Sequence, residues 1–413
     1  MVRAYRARWL AVVMLAVAPT LFIQVAPAIA LVRAPMATSG KVAAASSSIA
    51  GYGSKTVGGS GGRVIVVRNR NDSGPGSLRS AVENARGRRI VRFGVHGTIT
   101  LHSPLRIKWP YVTVKGGKAP GKGIQIKGHT IIVVTHDVIL RNLRVRPGDG
   151  LMSSTEARDE DGLTINGVGK DVYNIVLDNL SMLWGPDIGG LAILGNVHDV
   201  TVQDSIMGEG LYHSRHPDGG AGGDGHSKGV NLTRLSDSTG AQRITFFRNL
   251  ITTSDNRMPR FEGASCVDLV NNLIYNWGHL AGSGNPRSAN LVNNWFRWGP
   301  RSVTHYWWRP QTSSREKSKY RDSVYTRGNK LDGFRGRRAP DSVVYASTPR
   351  CGGLSKHPNR VSSVWWSVLS NAGARLPAVD AVDRRILSNV RHRLGKWVNG
   401  AGFLPPNPIW PLL

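Results

Sequence analysis

Two arginines, Arg257 and Arg260, flank Met258-Pro259 and lead into an apolar, strand-like segment that ends in Asn271-Asn272. A guanidinium is a planar fork of donors that matches a carboxylate, so two of them at the start of a rigid element make a site for an anion. The paired asparagine returns at Asn293-Asn294 after a similar apolar stretch. That recurrence implies a stacked-strand scaffold beneath the cations. Upstream, Asp159 and Asp161 stand two residues apart in the loop ARDED. On an extended segment alternate side chains point the same way, and convergent carboxylates suit a hard cation such as Ca²⁺; a solvated acidic loop is the plain alternative. His226 and Lys228 share a Gly-rich segment, where a structural histidine and a solvated or salt-paired lysine are the ordinary readings. His213 and His216, with Asp218 and Asp224 and no thiol, form only a loose zinc-like pattern.

The composition fits an anionic target. Lys and Arg number 54 against 26 Asp and Glu, a formal charge of +28 over 413 residues. Such a balance favours nucleic acid, anionic lipid or acidic glycan. Arg3, Arg6 and Arg8 precede an apolar run from Trp9 to Ala26, and Ala28-Ile29-Ala30 supplies small residues for cleavage. Residues 1–30 therefore read as a secretory signal. An uncleaved anchor is the alternative, which Pro19 and Pro27 oppose. Export, to the periplasm or the medium, favours acidic polysaccharide over nucleic acid, with no stable membrane span after cleavage. Residues 31–62, rich in Ala, Ser and Gly, read as a flexible linker, and 63–413 as a single domain. Cys266 and Cys351 are the only cysteines; they form one disulfide, or Cys266 is a small buried hydrophobe.

The elements that must position these residues repeat. Asp137–Leu143, Asn174–Leu180, Asp199–Ser205, Arg243–Leu250, Cys266–Leu273 and Ser288–Trp295 are β-rich segments, each closing on Asn or Asp, which tolerate sharp turns. The later repeats start about 22 to 25 residues apart, too short for a helical crossover in each unit and suited to one coil of a parallel β-helix. Two longer intervals, Arg146 to Lys170 and Glu209 to Ala241, are loops expected on the binding face. The asparagines are expected to stack into a hydrogen-bonded ladder. A turn and short helix after Ser73, capped by Ser77 with Leu78, Ala81, Val82 and Ala85 on one face, is expected to cover the open end. A helix after Ala378, with Val382, Ile386, Leu387 and Val390 inward, is expected to pack along the solenoid.

The order and spacing of SGPGSLRSAVE at Ser73, GTITL at Gly97, RVRPGD at Arg144, LSMLWGPD ending at Asp187, EGLYHSRH at Glu209, HSKG at His226 and RMPRFEG at Arg257 resemble the secreted bacterial pectate lyases. The resemblance runs from about Arg63 to the C-terminal helix. It implies an all-β, right-handed parallel β-helix and a monomeric lyase that cleaves polygalacturonate by calcium-assisted β-elimination. It further implies Asp159, Asp161 and Asp187 as Ca²⁺ ligands, Lys228 and Arg257 as catalytic groups, and Arg260 and His226 in substrate binding. The chain departs from the pattern twice. Leu191 stands near a further acidic ligand of several relatives, and Glu262 stands where many have another arginine. Trp184 and Trp277 are candidates for sugar stacking, or for the core. Two rivals follow: a non-catalytic binder of acidic glycan, which Glu262 and Leu191 favour, and a glycoside hydrolase using Asp159 with Asp187 as its carboxylate pair.

Overall fold

Each coil of the chain contributes up to three short strands, and equivalent strands of successive coils pair in parallel to give a right-handed β-helix. The computed structural model describes residues 48–219, 225–235, 238–303, 307–309, 323–334, 346–354 and 357–401; the expected signal segment lies outside them. The first sheet includes Leu105–Ile107, Ile131–Val133, Lys228–Thr233 and Arg260–Glu262. The second includes Arg89–Phe93, Val112–Lys115, Val138–Arg141, Gln242–Phe247 and Ser265–Val270. The third runs from Gly97–Thr100 to Lys330–Asp332. Leu163–Asp178 and Ile188–Gln203 are 16-residue strands that pair in the first sheet with their leading halves and in the second with their trailing halves.

The periodicity has a backbone cause. Asp137, Asn174, Asp199, Arg243 and Cys266 open the second-sheet strands with φ of 52–56°, and Asn142, Asn179, Asp204, Arg248, Asn271 and Asn293 close them with φ of 47–56°. Left-handed backbone suits Asn and Asp and costs other residues about 1–2 kcal/mol. Where arginine takes the corner it is tied to the aspartate one coil earlier, Arg243 to Asp199 at 2.7 Å and Arg248 to Asp204 at 2.6 Å. The position after the closing corner has a different task. Asn249, Asn272, Asn294 and Asn329 form a ladder in which each amide oxygen accepts from the backbone N–H of the rung before, at 2.9 Å.

The N-terminal end is closed by a turn of helix at Ser80–Asn84 that buries Leu78, Ala81 and Val82. Ser77 Oγ accepts from Ser80 N at 3.1 Å. The Arg89 guanidinium is fully buried and donates to the carbonyls of Ala81, Val82, Gly87, Trp109 and Pro110. Burial, then nearby Arg63, lowers its pKa to about 10.

Residues 48–62 correct the expectation of a flexible linker. They lie across the outer face of the second sheet: Ala50 N donates to Gln203 Oε1, Gly53 N to Thr201 Oγ1, Tyr52 N to Thr245 Oγ1 and Gly59 N to Thr113 Oγ1, all at 2.9–3.1 Å. A Cβ on Gly59 would meet Arg89 O at 1.7 Å. The small residues permit close approach rather than freedom.

The α-helices among the described residues are α1 (Ser154–Ala157), α2 (Val361–Asn371) and α3 (Ala381–His392). Val382, Ile386, Leu387 and Val390 of α3 and Val364, Val368 and Leu369 of α2 pack on Leu183, Ile206, Leu250 and Leu273 of the third sheet. Asp380 caps α3, its carboxylate accepting from Asp383 N at 2.9 Å. Arg146 reaches Asp383 at 2.7 Å, and Arg385 of α3 grips Glu209 at 2.6 and 2.7 Å. Cys266 and Cys351 are joined as a disulfide with Cα atoms 5.6 Å apart.

Candidate functional site

One corner of the first sheet collects the charged residues of four successive turns of chain. Ile188 pairs with Lys228, and Lys228 bridges to Asn256. Gly162 N donates to Ile188 O, and Asp187 N donates to Glu160 O. Asp161, Asp187, Lys228 and Arg257 therefore form a column along the solenoid, with carboxylates at one end and cations at the other. Asp161 lies in the first of the two long intervals and Lys228 in the second, so this corner is the candidate cleft.

Asp161 is buried. Its Oδ2 accepts from Thr164 Oγ1 at 2.6 Å and its Oδ1 from Ile188 N at 3.2 Å. Burial, then the adjacent Asp187 carboxylate, holds its pKa well above the usual range. Asp187 is half-buried, and its Oδ1 lies 3.0 Å from His226 Nε2 and 4.0 Å from His216 Nε2. The two imidazoles stack with centroids 3.6 Å apart. Asp218 N donates to His216 Nδ1 at 3.1 Å, which leaves the Nε2 proton of neutral His216 facing Asp187. His226 is itself buried. Its Nε2 contact holds it beside Asp187.

Asp159 does not join this pair as the alternation argument required. Ser153 and Glu156 form a capping box at the start of α1, and Arg158–Asp159 is the turn after that helix, leaving Asp159 exposed. The segment is helix and turn where an extended strand was expected. Glu160 is buried instead, accepting from Thr130 N at 2.9 Å and lying 2.7 Å from His129 Nδ1. Leu191 points into the core.

Lys228 and Arg257 are half-buried, and among the described residues neither side chain has an ion-pair or hydrogen-bond partner. Burial, then Arg257, lowers the Lys228 pKa against the opposing pull of Asp255 and Asp187. Burial likewise lowers Arg257, with Arg260 adding to the effect and Asp187 and Asp161 opposing it. Arg257 sits at φ 57° before a cis Met258-Pro259 bond. Its carbonyl accepts from Val230 N at 2.6 Å, which fixes it to the Lys228 strand. Arg260 donates to Glu262 at 3.0 Å, so part of its fork is committed within the chain.

Trp184 and Trp277 are both fully buried and belong to the core; Trp184 Nε1 donates to Glu209 at 2.9 Å. Sequence reasoning missed His216 as a partner of Asp187. It lies 29 positions away, and only the coil register brings them together.

No family model matches the chain. By sequence it is similar to the "Probable pectate lyase C" of Aspergillus flavus, 35% identical over 252 residues, 59% of this chain and 52% of that protein. The protein of the same name from Emericella nidulans is 35% identical over 251 residues, 59% and 51% of the two chains. The chain thus spans about half the length of the curated relatives it matches. These relatives are fungal, so the bacterial subdivision of the expectation is not supported. By structure it is similar to jun a 1, the major allergen from cedar pollen, with TM-score 0.59, 18% identity and coverage of 78% and 92%. A thermostable pectate lyase, PL 47, follows with TM-score 0.58, 16% identity and coverage of 79% and 97%. At these identities the structural likeness is one of fold.

Proposed function

We propose that the chain is an exported polysaccharide lyase that cleaves polygalacturonate by β-elimination with Ca²⁺ assistance. The observation that carries this reading is the pair of unpartnered, half-buried cations, Lys228 and Arg257, at the end of a column that begins with Asp161 and Asp187. The similarity to proteins named as pectate lyases supports it.

The proton on carbon five of a galacturonosyl unit is weakly acidic, and its removal builds charge on the neighbouring carboxylate. Lys228 and Arg260 would hold that carboxylate, and fixed cations in a preorganised cleft stabilise the enolate-like charge. Arg257 takes the proton. A free guanidinium is already protonated at ordinary pH and accepts no proton, so the step needs the neutral guanidine, whose share burial and Arg260 both raise by lowering the pKa. The carbon–hydrogen pair then becomes the carbon four–carbon five double bond, and the bond to the glycosidic oxygen breaks. That oxygen leaves with a proton from solvent.

Asp161 and Asp187 supply hard oxygen donors, and mutual repulsion between their carboxylates is what a cation would relieve. Ca²⁺ prefers six to eight oxygens, so two carboxylates fit an ion whose shell is completed by water and substrate carboxylate. When bound it would neutralise the uronate. His216 and His226 keep Asp187 oriented. A hydrolase would need an acid and a base flanking the scissile bond; here carboxylates occupy one end of the column and cations the other. The test is product identity by mass spectrometry after incubation with polygalacturonate. Unsaturated fragments one water lighter than hydrolysis products support the lyase. Saturated fragments support a hydrolase, and no fragments with saturable binding support a glycan binder.

A further inference from the structure

The first coils carry charge that the cleft does not use. Residues 63–145 hold sixteen Lys and Arg but only three acids, Asp72, Glu83 and Asp137. All three acids are already engaged: Asp72 and Glu83 with Arg79 at 2.7 Å each, and Asp137 with His136 at 2.9 Å. Three of the remaining cations line up. The second-sheet register sets Arg92 beside Lys115 and Lys115 beside Arg141. Val91, Val114 and Leu140, their strand neighbours, face the core, so these three side chains point outward. Adjacent strands lie about 4.8 Å apart. Like charges opposed at that spacing destabilise a sheet, so packing gives no reason for the arrangement.

Arg92, Lys115 and Lys118 have no ion-pair partner among the described residues. The ladder ends where Arg141 meets Asp178 at 2.9 Å. Burial, then Arg141, Arg92 and Lys118, lowers the Lys115 pKa, as mutual proximity of the four cations requires. The ladder runs along the solenoid axis on the second sheet, several coils before the first-sheet corner that holds Lys228 and Arg257.

We propose that Arg92, Lys115 and Arg141, with Lys118 at the following corner, form a docking surface for a linear acidic polysaccharide, separate from the cleft. A polymer with one carboxylate per sugar presents an even row of charge to an even row of cations. The identity of the polymer as polyuronate rests on the lyase reading; the surface itself does not.

The experiment compares the full chain with the Arg92→Ser/Lys115→Ser and Lys115→Ser/Lys118→Ser variants. Each is run by affinity electrophoresis through gels containing polygalacturonate and a chelator, at low and high salt. Turnover of trigalacturonate, too short to reach both sites, is followed in parallel. Both double variants are expected to bind the polymer roughly tenfold more weakly, with salt removing most of the difference and trimer turnover unchanged. Equal retardation of variants and parent, with overlapping thermal melts, would overturn the inference. So would variants that lose affinity for duplex DNA or anionic vesicles but keep it for polygalacturonate. A parent chain that binds the polymer through the ladder yet releases no unsaturated product would instead sink the lyase reading alone.

Discussion

At the scale of single residues, burial and neighbouring charge decide what each group does. Arg257 suits the proposed proton transfer because it is half-buried, held to Val230 and left without an anion of its own. Arg257→Ala should lower kcat on polygalacturonate by about a hundredfold or more while moving KM little, as measured by steady-state release of unsaturated product. Asp187→Asn removes one of two convergent carboxylates and should weaken Ca²⁺ binding by about tenfold or more in calorimetry, a readout independent of turnover. Asp178 carries a pH signature away from the cleft. Burial, partly offset by Arg141, raises its pKa from 3.8 to about 6. Below pH 3.8 both folded and unfolded chains are protonated and nothing is lost. Between 3.8 and 6 only the unfolded chain ionises, so stability falls as pH rises, and above 6 the loss is complete. Asp178→Asn should therefore stabilise by at most about 3 kcal/mol above pH 7 and by nothing below pH 3.8, in denaturant titrations at the two pH values.

At the scale of elements, the repeats were legible because corner geometry favours Asn and Asp. Asn142, Asn179, Asn271 and Asn293 occupy left-handed corners, and that demand leaves a mark in any sequence. The inward face of α3 was legible for the same reason, through its periodicity. Other parts were not legible, because their meaning depends on coils far apart in the chain. The Arg144 and Glu209 motifs that signalled a family are engaged with the C-terminal helix: Arg146 pairs with Asp383, and Glu209 with Arg385. Asp159 and Asp161 looked equivalent until the turn after α1 separated them. Arg146→Ala would leave Asp383 buried without its cation and should cost about 3–5 kcal/mol, read as a lower midpoint in thermal or denaturant unfolding. The partner variant Asp383→Asn should be milder, since a neutral amide tolerates burial better than an unpaired carboxylate.

At the scale of the molecule, the solenoid is a ruler whose outer faces carry different loads. The third sheet is covered by α2 and α3, the second partly by residues 48–62, and the first holds the charged column. No helix among the described residues is long and apolar enough to cross a membrane. The Cys266–Cys351 bridge spans 85 positions and ties the segment around Cys351 to the second sheet. Loop-closure entropy gives a bridge of that span about 4.5 kcal/mol. The Cys266→Ser/Cys351→Ser variant should unfold at correspondingly lower denaturant. The N-terminal strap was read as a tether because Gly and Ser promote both freedom and close approach, and composition does not separate the two.

The most direct measurement is ultraviolet absorbance of the conjugated double bond while polygalacturonate is incubated with the parent chain and with Arg257→Ala, each with added Ca²⁺ and with chelator. A rise is expected for the parent chain in Ca²⁺, with near-flat traces in the other three arms. Equal traces for parent and variant, or a flat trace for folded parent chain in Ca²⁺, would contradict the placing of lyase chemistry at the Asp161, Asp187, Lys228 and Arg257 column.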